Sequence, residues 1–242
     1  MSKRGHQLKI IAGELKSRYV ESPPDASTTR PLPVRVRESI FGLLRGHIEG
    51  ERVVDVFAGT GSFSFEAVSR GASEAVLVEK DRSIAKLIAR TIEKFGVEDR
   101  AQLINADALG ASTPARVGEP AHIIMMDPPY PLMTDKSQRE RVLQAASKYV
   151  ELLDDEGYLI LRTPWKDWVY EGKPATPHAA ERIDEHEVEV DEAGLPLDGS
   201  EDEPAEQHKA AREPGNLKIE GAIGPETHEY GSTAVHLYMR ES

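Results

Sequence analysis

Beyond residue 51, the chain alternates short, uninterrupted apolar runs with longer segments whose apolar residues recur at helical spacing. The apolar runs predict strands at 52–58, 74–80, 101–107, 122–127 and 157–163. The segments between them predict helices at 62–71, 82–95 and 136–153. Strands that are apolar along their whole length and separated by helices are typical of a parallel sheet buried on both faces. The pattern therefore predicts an α/β fold with a doubly wound sheet.

Two further stretches flank this pattern. Residues 8–20 alternate around an Ala-Gly turn and predict a β-hairpin, and residues 36–48 carry apolar side chains at helical spacing. At the other end, residues 232–240 predict a final strand. We therefore divide the chain into an N-terminal hairpin and helix extension at 1–50 and a main domain at 51–242.

The net charge of −12 is unevenly distributed. Residues 1–50 hold nine Lys and Arg against five Asp and Glu, whereas residues 171–229 hold five against seventeen. The acidic excess falls mostly at about 172–216, where Pro, Gly and acidic residues replace bulky apolar ones. We predict a flexible surface insertion there. The basic first segment remains compatible with a nucleic-acid partner.

Composition excludes several kinds of site. The sequence has no cysteine, which excludes disulfides, thiolate metal sites and cysteine nucleophiles. Its eight histidines show no metal-binding spacing, so no metal site is predicted. No apolar run approaches the roughly 20 residues that a membrane helix needs, and the N-terminus lacks the apolar core of a signal peptide. We expect a cytoplasmic protein without a membrane partner.

The first predicted strand ends in DVFAGTGSFSFE, residues 55–66, where two glycines allow a tight turn before a helix. Gly59 and Gly61 could let the backbone approach a ligand, as in dinucleotide-binding turns. Here Ser64 takes the place of the third glycine and Asp55 precedes the turn, which suits a positive amine better than a phosphate. A structural turn without a ligand is the alternative, because such turns are common in α/β sheets.

Acidic residues also follow the second and third predicted strands. Glu79 lies eighteen residues after Gly61, close to the spacing at which an acid binds ribose hydroxyls in dinucleotide folds. Asp107 could accept a hydrogen bond from an adenine amine. The alternatives are a solvated acid at Glu79 and a helix N-cap at Asp107. Together, the three strand ends predict a pocket for an adenosine with an amino-acid tail, as in S-adenosyl-L-methionine.

The fourth predicted strand ends in DPPY, residues 127–130. The Asp127 carboxylate and the Pro128 carbonyl could accept the N–H groups of an exocyclic base amine, which would position its nitrogen for methyl transfer. Pro129 stiffens the loop, and Tyr130 could stack on an extruded base. A turn that merely ends a buried strand is the alternative. Agreement among four strand ends favours the catalytic interpretation.

In this order, DVFAGTG, VEKD, NAD and DPPY resemble the motif series of class I S-adenosylmethionine-dependent methyltransferases that modify base amines. More narrowly, IIAGELKSR, TTRPLPVRVRESIFGLL, DVFAGTGSFSFEAVSRGA and EYGSTAVHLY resemble the bacterial 16S rRNA (guanine-N2)-methyltransferases of the RsmD type. The likeness covers roughly residues 8–165 and 228–240.

The resemblance implies a Rossmann-like, mostly parallel seven-stranded sheet whose last strand is antiparallel. It also implies methylation of the N2 amine of a guanine in 16S rRNA, within the small ribosomal subunit or its assembly intermediate. The implied catalytic residues are Asp127, Pro128, Pro129 and Tyr130. The implied cofactor-binding residues are Asp55, Phe57, Ala58, Gly59, Gly61, Glu79, Lys80, Asp107 and Ala108. We expect a monomer.

RNA binding is expected from the basic N-terminal extension. The predicted contacts are Lys9, Lys16, Arg18, Arg30, Arg35 and Arg37. For any one of them, a solvated surface charge is the alternative.

Two features of the sequence depart from the family pattern. The acidic insertion has no counterpart there, so we expect it to lie away from the catalytic mouth, and Pro33-Val34 replace a short polar pair.

Three other functions remain open from the sequence. A DNA adenine or cytosine amino-methyltransferase would share DPPY, but no DNA-recognition domain is evident. A non-catalytic, RNA-binding ribosome-assembly factor could keep the same fold. A nicotinamide-dependent dehydrogenase is opposed by DPPY and by Ser64.

Overall fold

The computed structural model describes residues 8–23, 32–164, 168–169 and 215–241. Two predictions therefore lie outside the described residues. They are Arg30 and the acidic insertion, apart from its last two positions.

The described residues form nine strands and six helices. The strands are β1 (Arg52–Asp55), β2 (Glu74–Glu79), β3 (Ala101–Asn105), β4 (Ala121–Met126), β5 (Leu153–Thr163), β6 (Trp168–Val169), β7 (Gly215–Asn216), β8 (Ala222–Tyr230) and β9 (Thr233–Arg240). The helices are α1 (Val34–Leu43), α2 (Ser62–Ser69), α3 (Arg82–Phe95), α4 (Thr113–Val117), α5 (Tyr130–Thr134) and α6 (Lys136–Val150). None of these six helices combines the length and apolar character that crossing a membrane requires.

Seven of the strands form one sheet in the order β3-β2-β1-β4-β5-β9-β8. The first five run parallel, whereas β9 pairs antiparallel with both β5 and β8. The short strands β6 and β7 pair separately with each other. This topology confirms the predicted α/β, Rossmann-like doubly wound sheet with an antiparallel last strand.

Side chains of the central strands alternate between two cores, one on each face of the sheet. In β4, Ile124 and Met126 belong to the core that contains α6 residues, whereas Ile123 and Met125 belong to the core that contains α1 residues. All four side chains are buried. Burying an aliphatic side chain of this size stabilises a fold by about 1.5–3 kcal/mol. Helices on both faces therefore explain why these strands are apolar throughout.

The N-terminal segment forms a hairpin-like turn with little regular pairing. Lys9 and Tyr19 make a single antiparallel bridge, and Val20 N–H donates to the Leu8 carbonyl at 2.9 Å. The predicted hairpin is therefore present, but not as two regular strands.

A buried carboxylate attaches this segment to helix α2. Glu66 of α2, which is fully buried, accepts hydrogen bonds from the backbone N–H groups of Ile11 at 2.8 Å and Ala12 at 3.0 Å. Arg70 Nε donates to the same carboxylate at 2.8 Å. Because a buried charge needs partners, removing the segment would leave Glu66 short of two donors.

Helices α4 and α5 and strands β6, β7 and β8 were not predicted. Helices α4 and α5 have only five residues each, too few to show an amphipathic period. Strand β8 has the sequence AIGPETHEY, and its residues are largely half-buried or exposed. As the edge strand next to β9, it does not need the continuous apolar run that marks the central strands.

Gly61, which precedes α2, offers a test of packing under the cleft. It has φ 77°, and an added Cβ would lie 2.7 Å from Leu77 Cδ2 and 2.8 Å from Phe65 Cε2. We expect Gly61→Ala to lower the free energy of unfolding through a backbone cost of about 1–2 kcal/mol and a packing cost of about 1–3 kcal/mol. Denaturant unfolding without cofactor measures the loss.

Gly96→Ala is the matched control for that experiment. Gly96 has φ 66°, but an added Cβ would meet no atom within 4 Å, so only the backbone cost applies. Equal losses in the two variants would contradict the packing argument.

Candidate active site

A cleft of about 820 Å³ opens at the carboxyl ends of the parallel strands. It lies where the strand order reverses between β1 and β4, the place where open α/β sheets bind ligands. Every parallel strand contributes a polar residue within two positions of its end. These residues are Asp55, Glu79, Asp107, Asp127 and Arg162.

Asp55, the last residue of β1, is buried beneath the cleft with 3% of its surface exposed. Ser64 Oγ donates a hydrogen bond to its carboxylate at 2.9 Å. Burial raises the pKa of Asp55 to about 7. Nearby Asp127 and Glu79 add to this rise in pKa, and the Ser64 hydrogen bond opposes it. The charge of this carboxylate therefore changes close to neutral pH.

The two glycines of the turn between β1 and α2 have different roles. Gly59 lines the cleft beside Phe57 and Ala58, and an added Cβ there would meet nothing within 4 Å. Gly61 is not among the cleft-lining residues and instead lets α2 pack closely on Leu77. The structure thus gives Gly61 a role in packing, and its cofactor contact stays a prediction.

Glu79 ends β2 in the same cleft and is held by the backbone. Its Oε2 accepts from Gly59 N–H at 2.9 Å, and its Oε1 accepts from Asp81 N–H at 2.7 Å. Burial raises the pKa of Glu79, and these backbone hydrogen bonds act against the rise. Each carboxylate oxygen keeps a second lone pair for a ligand hydroxyl. Lys80, the next residue, is exposed and also lines the cleft.

Asp107 and Ala108 follow β3 in the cleft wall. Asp107 is exposed, and its Oδ1 accepts from Leu109 N–H at 3.0 Å. This bond closes a local turn rather than capping a helix. Tyr149 Oη of α6 donates to the Ala108 carbonyl at 3.1 Å and holds the turn in place. Asp107 therefore keeps an accessible position in the cleft.

The DPPY loop forms the cleft wall after β4. Pro128 is buried, Pro129 is exposed, and Tyr130 begins α5. The Asp127 side chain retains 22% of its exposure, so its carboxylate can be reached from the cleft. Burial raises the pKa of Asp127, and the nearby Arg162 acts to lower it.

Arg162 of β5 is the main site residue that the sequence interpretation missed. Its Nε lies 3.3 Å from Asp127 Oδ1, and its Nη2 donates to Tyr130 Oη at 2.9 Å. Burial alone would lower the pKa of Arg162, but Asp127 and Tyr130 outweigh that effect, so the net shift of the pKa is upward. A single arginine within the apolar strand sequence GYLILRT was the available signal.

Other cleft residues had no motif to reveal them. They come from the loop before α1, from α3 and from the α5–α6 region. They include Leu32, Ile84, Leu132, Gln138 and Arg141. Only the sheet topology brings these separate segments to the same opening.

The predicted RNA contacts differ in exposure. Lys9, Lys16 and Arg35 are exposed. Arg18 is half-buried, and its guanidinium donates to the carbonyls of Phe95, at 3.2 Å, and Lys94 at the end of α3. It also lies 4.4 Å from the centre of the Phe95 ring. These contacts give Arg18 a capping role at the end of the helix.

Arg37 has no exposed surface. Its Nη2 donates to the Lys9 carbonyl at 2.7 Å, which joins α1 to the N-terminal segment. Burial lowers the pKa of Arg37, and Glu66 is the main group that opposes this shift. The prediction that Arg37 contacts RNA is therefore wrong, because the side chain does not reach the surface.

A histidine cluster lies outside the cleft lining. His122 contacts His47 through its Nε2 at 2.8 Å and Asp154 through its Nδ1 at 3.0 Å. Glu51, His122 and Asp154 form the one group of possible metal ligands found among the described residues, with ligand atoms within 4.8 Å of one another. The hydrogen bonds of His122 account for this arrangement without a cation.

Comparison with known proteins places these features in one family. Residues 8–184 match the family model described as Conserved hypothetical protein 95. The chain is 32% identical over 153 residues to Ribosomal RNA small subunit methyltransferase D of Escherichia coli K12, covering 63% of this chain and 70% of that protein. It is 28% identical over 125 residues to the protein of the same name from Haemophilus influenzae, covering 51% and 64%.

Solved structures share the fold. The yhhF protein of Escherichia coli has a TM-score of 0.63 at 23% identity, covering 97% of this chain and 98% of that one. A conserved hypothetical protein of Streptococcus pyogenes has a TM-score of 0.53 at 25% identity, covering 85% and 96%. The family match spans both the N-terminal segment and all five strand ends that form the cleft. The chain therefore belongs to the Conserved hypothetical protein 95 family, the RsmD family that its motifs predict.

Proposed function

We propose that this protein uses S-adenosyl-L-methionine to methylate the exocyclic N2 amine of a guanine in 16S rRNA, within the small ribosomal subunit or its assembly intermediate. The observation that carries this proposal is the DPPY loop, which shares one cleft with the acids that end β1 and β2. The names of the relatives from Escherichia coli and Haemophilus influenzae support small-subunit rRNA as the substrate class.

The donor groups of the cleft fit the cofactor. Glu79 offers acceptors for ribose hydroxyls, Asp107 an acceptor for the adenine amine, and Asp55 a negative charge for the amino-acid amine. The apolar side chains of Ile84 and Leu109 suit the faces of a purine. The same acids would repel a polyphosphate tail. When bound, S-adenosylmethionine supplies an electrophilic methyl group.

The DPPY loop prepares the attacking nitrogen. An exocyclic base amine is a weak nucleophile because its lone pair is delocalised into the ring. The Asp127 carboxylate and the Pro128 carbonyl accept its two N–H groups, which favours a pyramidal nitrogen with a directed lone pair. Asp127 also stabilises the positive charge that develops on the nitrogen and accepts the released proton. Tyr130 stacks on the base and limits its movement.

Parts of the chain outside the cleft complete the proposal. We assign RNA phosphate contacts to the extension at 1–50, where Lys9, Lys16 and Arg35 are exposed, and the chemistry to the domain at 51–242. The protein acts as a monomer in the cytoplasm, where its rRNA substrate is assembled.

The direct test is methyl transfer from labelled S-adenosylmethionine to unmodified small subunits, followed by nucleoside mass spectrometry. We expect N2-methylguanosine, and we expect Asp127→Asn to reduce transfer by about 100-fold or more because a key acceptor loses its charge. Asp99→Asn, at a distant exposed position, is the control. Label on DNA or on another base would contradict the proposed substrate. No label on any nucleic acid would contradict the proposed activity.

Glu79 should determine cofactor affinity rather than the chemical step. We expect Glu79→Gln to weaken binding of S-adenosylhomocysteine by about 1.5–3 kcal/mol, the range for hydrogen bonds to a charged group. Isothermal titration calorimetry measures the dissociation constant, with the exposed Glu93→Gln variant of α3 as control. An unchanged dissociation constant in Glu79→Gln would refute its assignment.

Cofactor affinity should also depend on pH through Asp55, whose pKa is raised to about 7 by burial. Below that pH the carboxyl is neutral, and above it the carboxylate attracts the ligand amine. Binding of S-adenosylhomocysteine should therefore tighten from about pH 6 to about pH 7.5, below the range of about 7.7–8.0 in which an α-amino group loses its charge. Because Asp127 and Glu79 lie nearby, Asp55→Asn is the necessary control and should flatten the dependence. Equal pH dependence in both proteins would contradict the role of Asp55.

A further inference from the structure

Arg162 reaches the DPPY loop from a rigid position. It lies near the end of β5, a strand that pairs with β4 on one side and with β9 on the other. In the ladder, Arg162 itself is opposite Val235 of β9, and the preceding Leu161 is opposite Met126 of β4. The guanidinium is therefore anchored on a backbone that cannot move without breaking both pairings, and its side chain is only 4% exposed.

The guanidinium contacts both ends of the loop. On one side, Nε lies 3.3 Å from Asp127 Oδ1 and Nη1 lies 3.5 Å from Asp127 Oδ2. On the other, Nη2 donates to Tyr130 Oη at 2.9 Å, and the guanidinium carbon lies 5.6 Å from the centre of the Tyr130 ring. Nη1 and Nη2 donate hydrogen bonds to Asp127 and Tyr130, whereas Nε approaches Asp127 as an ion pair without a hydrogen bond. Because a guanidinium is planar, these contacts orient the carboxylate and the ring relative to each other.

The charges around Asp127 make this contact necessary. Asp55 of β1 is the neighbouring acid, Tyr130 belongs to the same loop, and Arg162 is the cation that approaches from β5. Burial disfavours a negative Asp127, yet the proposed reaction needs its ionised form as acceptor. Arg162 supplies the compensating charge.

We propose that Arg162 is the positioning residue of this site, which fixes the Asp127 carboxylate and the Tyr130 ring in the orientation that receives the guanine before the base arrives. The proposal rests on the proposed function, and it assigns no contact between Arg162 and the base. The guanidinium acts through Asp127 and Tyr130, the two loop residues that contact the base in the proposed reaction.

Three substitutions separate the parts of this role. Arg162→Met removes both the charge and the fork. Arg162→Lys keeps a charge near Asp127 but loses the fork, because an ammonium is a point charge. Tyr130→Phe removes only the hydroxyl contact and leaves the ion pair with Asp127 in place.

Steady-state kinetics across pH distinguish positioning from a merely structural role. We expect Arg162→Met to lower kcat by about 100-fold, as for a misplaced catalytic group, with KM for S-adenosylmethionine nearly unchanged. In the plot of kcat against pH, the acid limb of Arg162→Met should move to higher pH, because without Arg162 the pKa of Asp127 rises further. Arg162→Lys should restore the acid limb but only part of kcat, and Tyr130→Phe should leave the acid limb in place.

Two kinetic results would overturn the proposal. One is a wild-type kcat and pH profile in Arg162→Met. The other is a loss of activity in Arg162→Met that parallels a loss of thermal stability and cofactor binding, with an unmoved acid limb. The second pattern would make Arg162 a structural residue only.

A measurement without turnover separates this proposal from the proposed function. Carboxyl ¹³C NMR, with Asp127 assigned through Asp127→Asn, follows its titration in the wild type and in Arg162→Met. A higher Asp127 pKa in Arg162→Met supports the role of Arg162 even when the wild type does not methylate 16S rRNA, a result that would sink only the proposed function. An unchanged Asp127 titration overturns the role of Arg162 even in an active enzyme.

Discussion

Parallel pairing on both sides of β1 brings the ends of the three central strands together at the cleft. Asp55 at its end is opposite Leu77 of β2 and Met125 of β4. The chain therefore leaves the carboxyl ends of all three strands at the same edge of the sheet. Because the strand order reverses at β1, the connections that follow diverge and leave an opening between them. The strand order therefore determines where the cleft opens, whichever side chains line it.

The same convergence concentrates negative charge. Asp55, Glu79 and Asp127 all carry a raised pKa, with burial as the leading cause. Different partners oppose that burial in each case: the Ser64 hydroxyl for Asp55, backbone N–H groups for Glu79, and Arg162 for Asp127. A purely apolar packing of this edge would avoid these desolvation costs. The protein keeps the acids because their chemistry serves the ligand rather than the fold.

Sequence periodicity predicted the central sheet because burial on both faces leaves a direct mark on the strands. It also predicted the acidic residues of the cleft. The ends of strands can be predicted from the sequence, and a parallel topology brings those ends together. Arg162 escaped because its partners depend on the register between β4 and β5, which no local pattern encodes. The burial of Arg37 and the packing role of Gly61 escaped the sequence interpretation for a related reason. Burial of the arginine and the approach of Leu77 to the glycine are tertiary facts, and neither alters the local pattern.

The attachment of the N-terminal segment to Glu66 has a mechanical consequence. Glu66 belongs to α2, the helix that starts directly after the glycine turn of the cleft, and it holds the backbone at Ile11 and Ala12. Arg37 ties the same segment to α1 through the Lys9 carbonyl. Hydrogen bonds therefore connect the segment that carries the exposed Lys9 and Lys16 to the helix that follows the glycine turn. Under the proposed function, these connections set the distance between the phosphates that the lysines bind and the base that enters the cleft. Only a base at that distance from the bound phosphates is methylated.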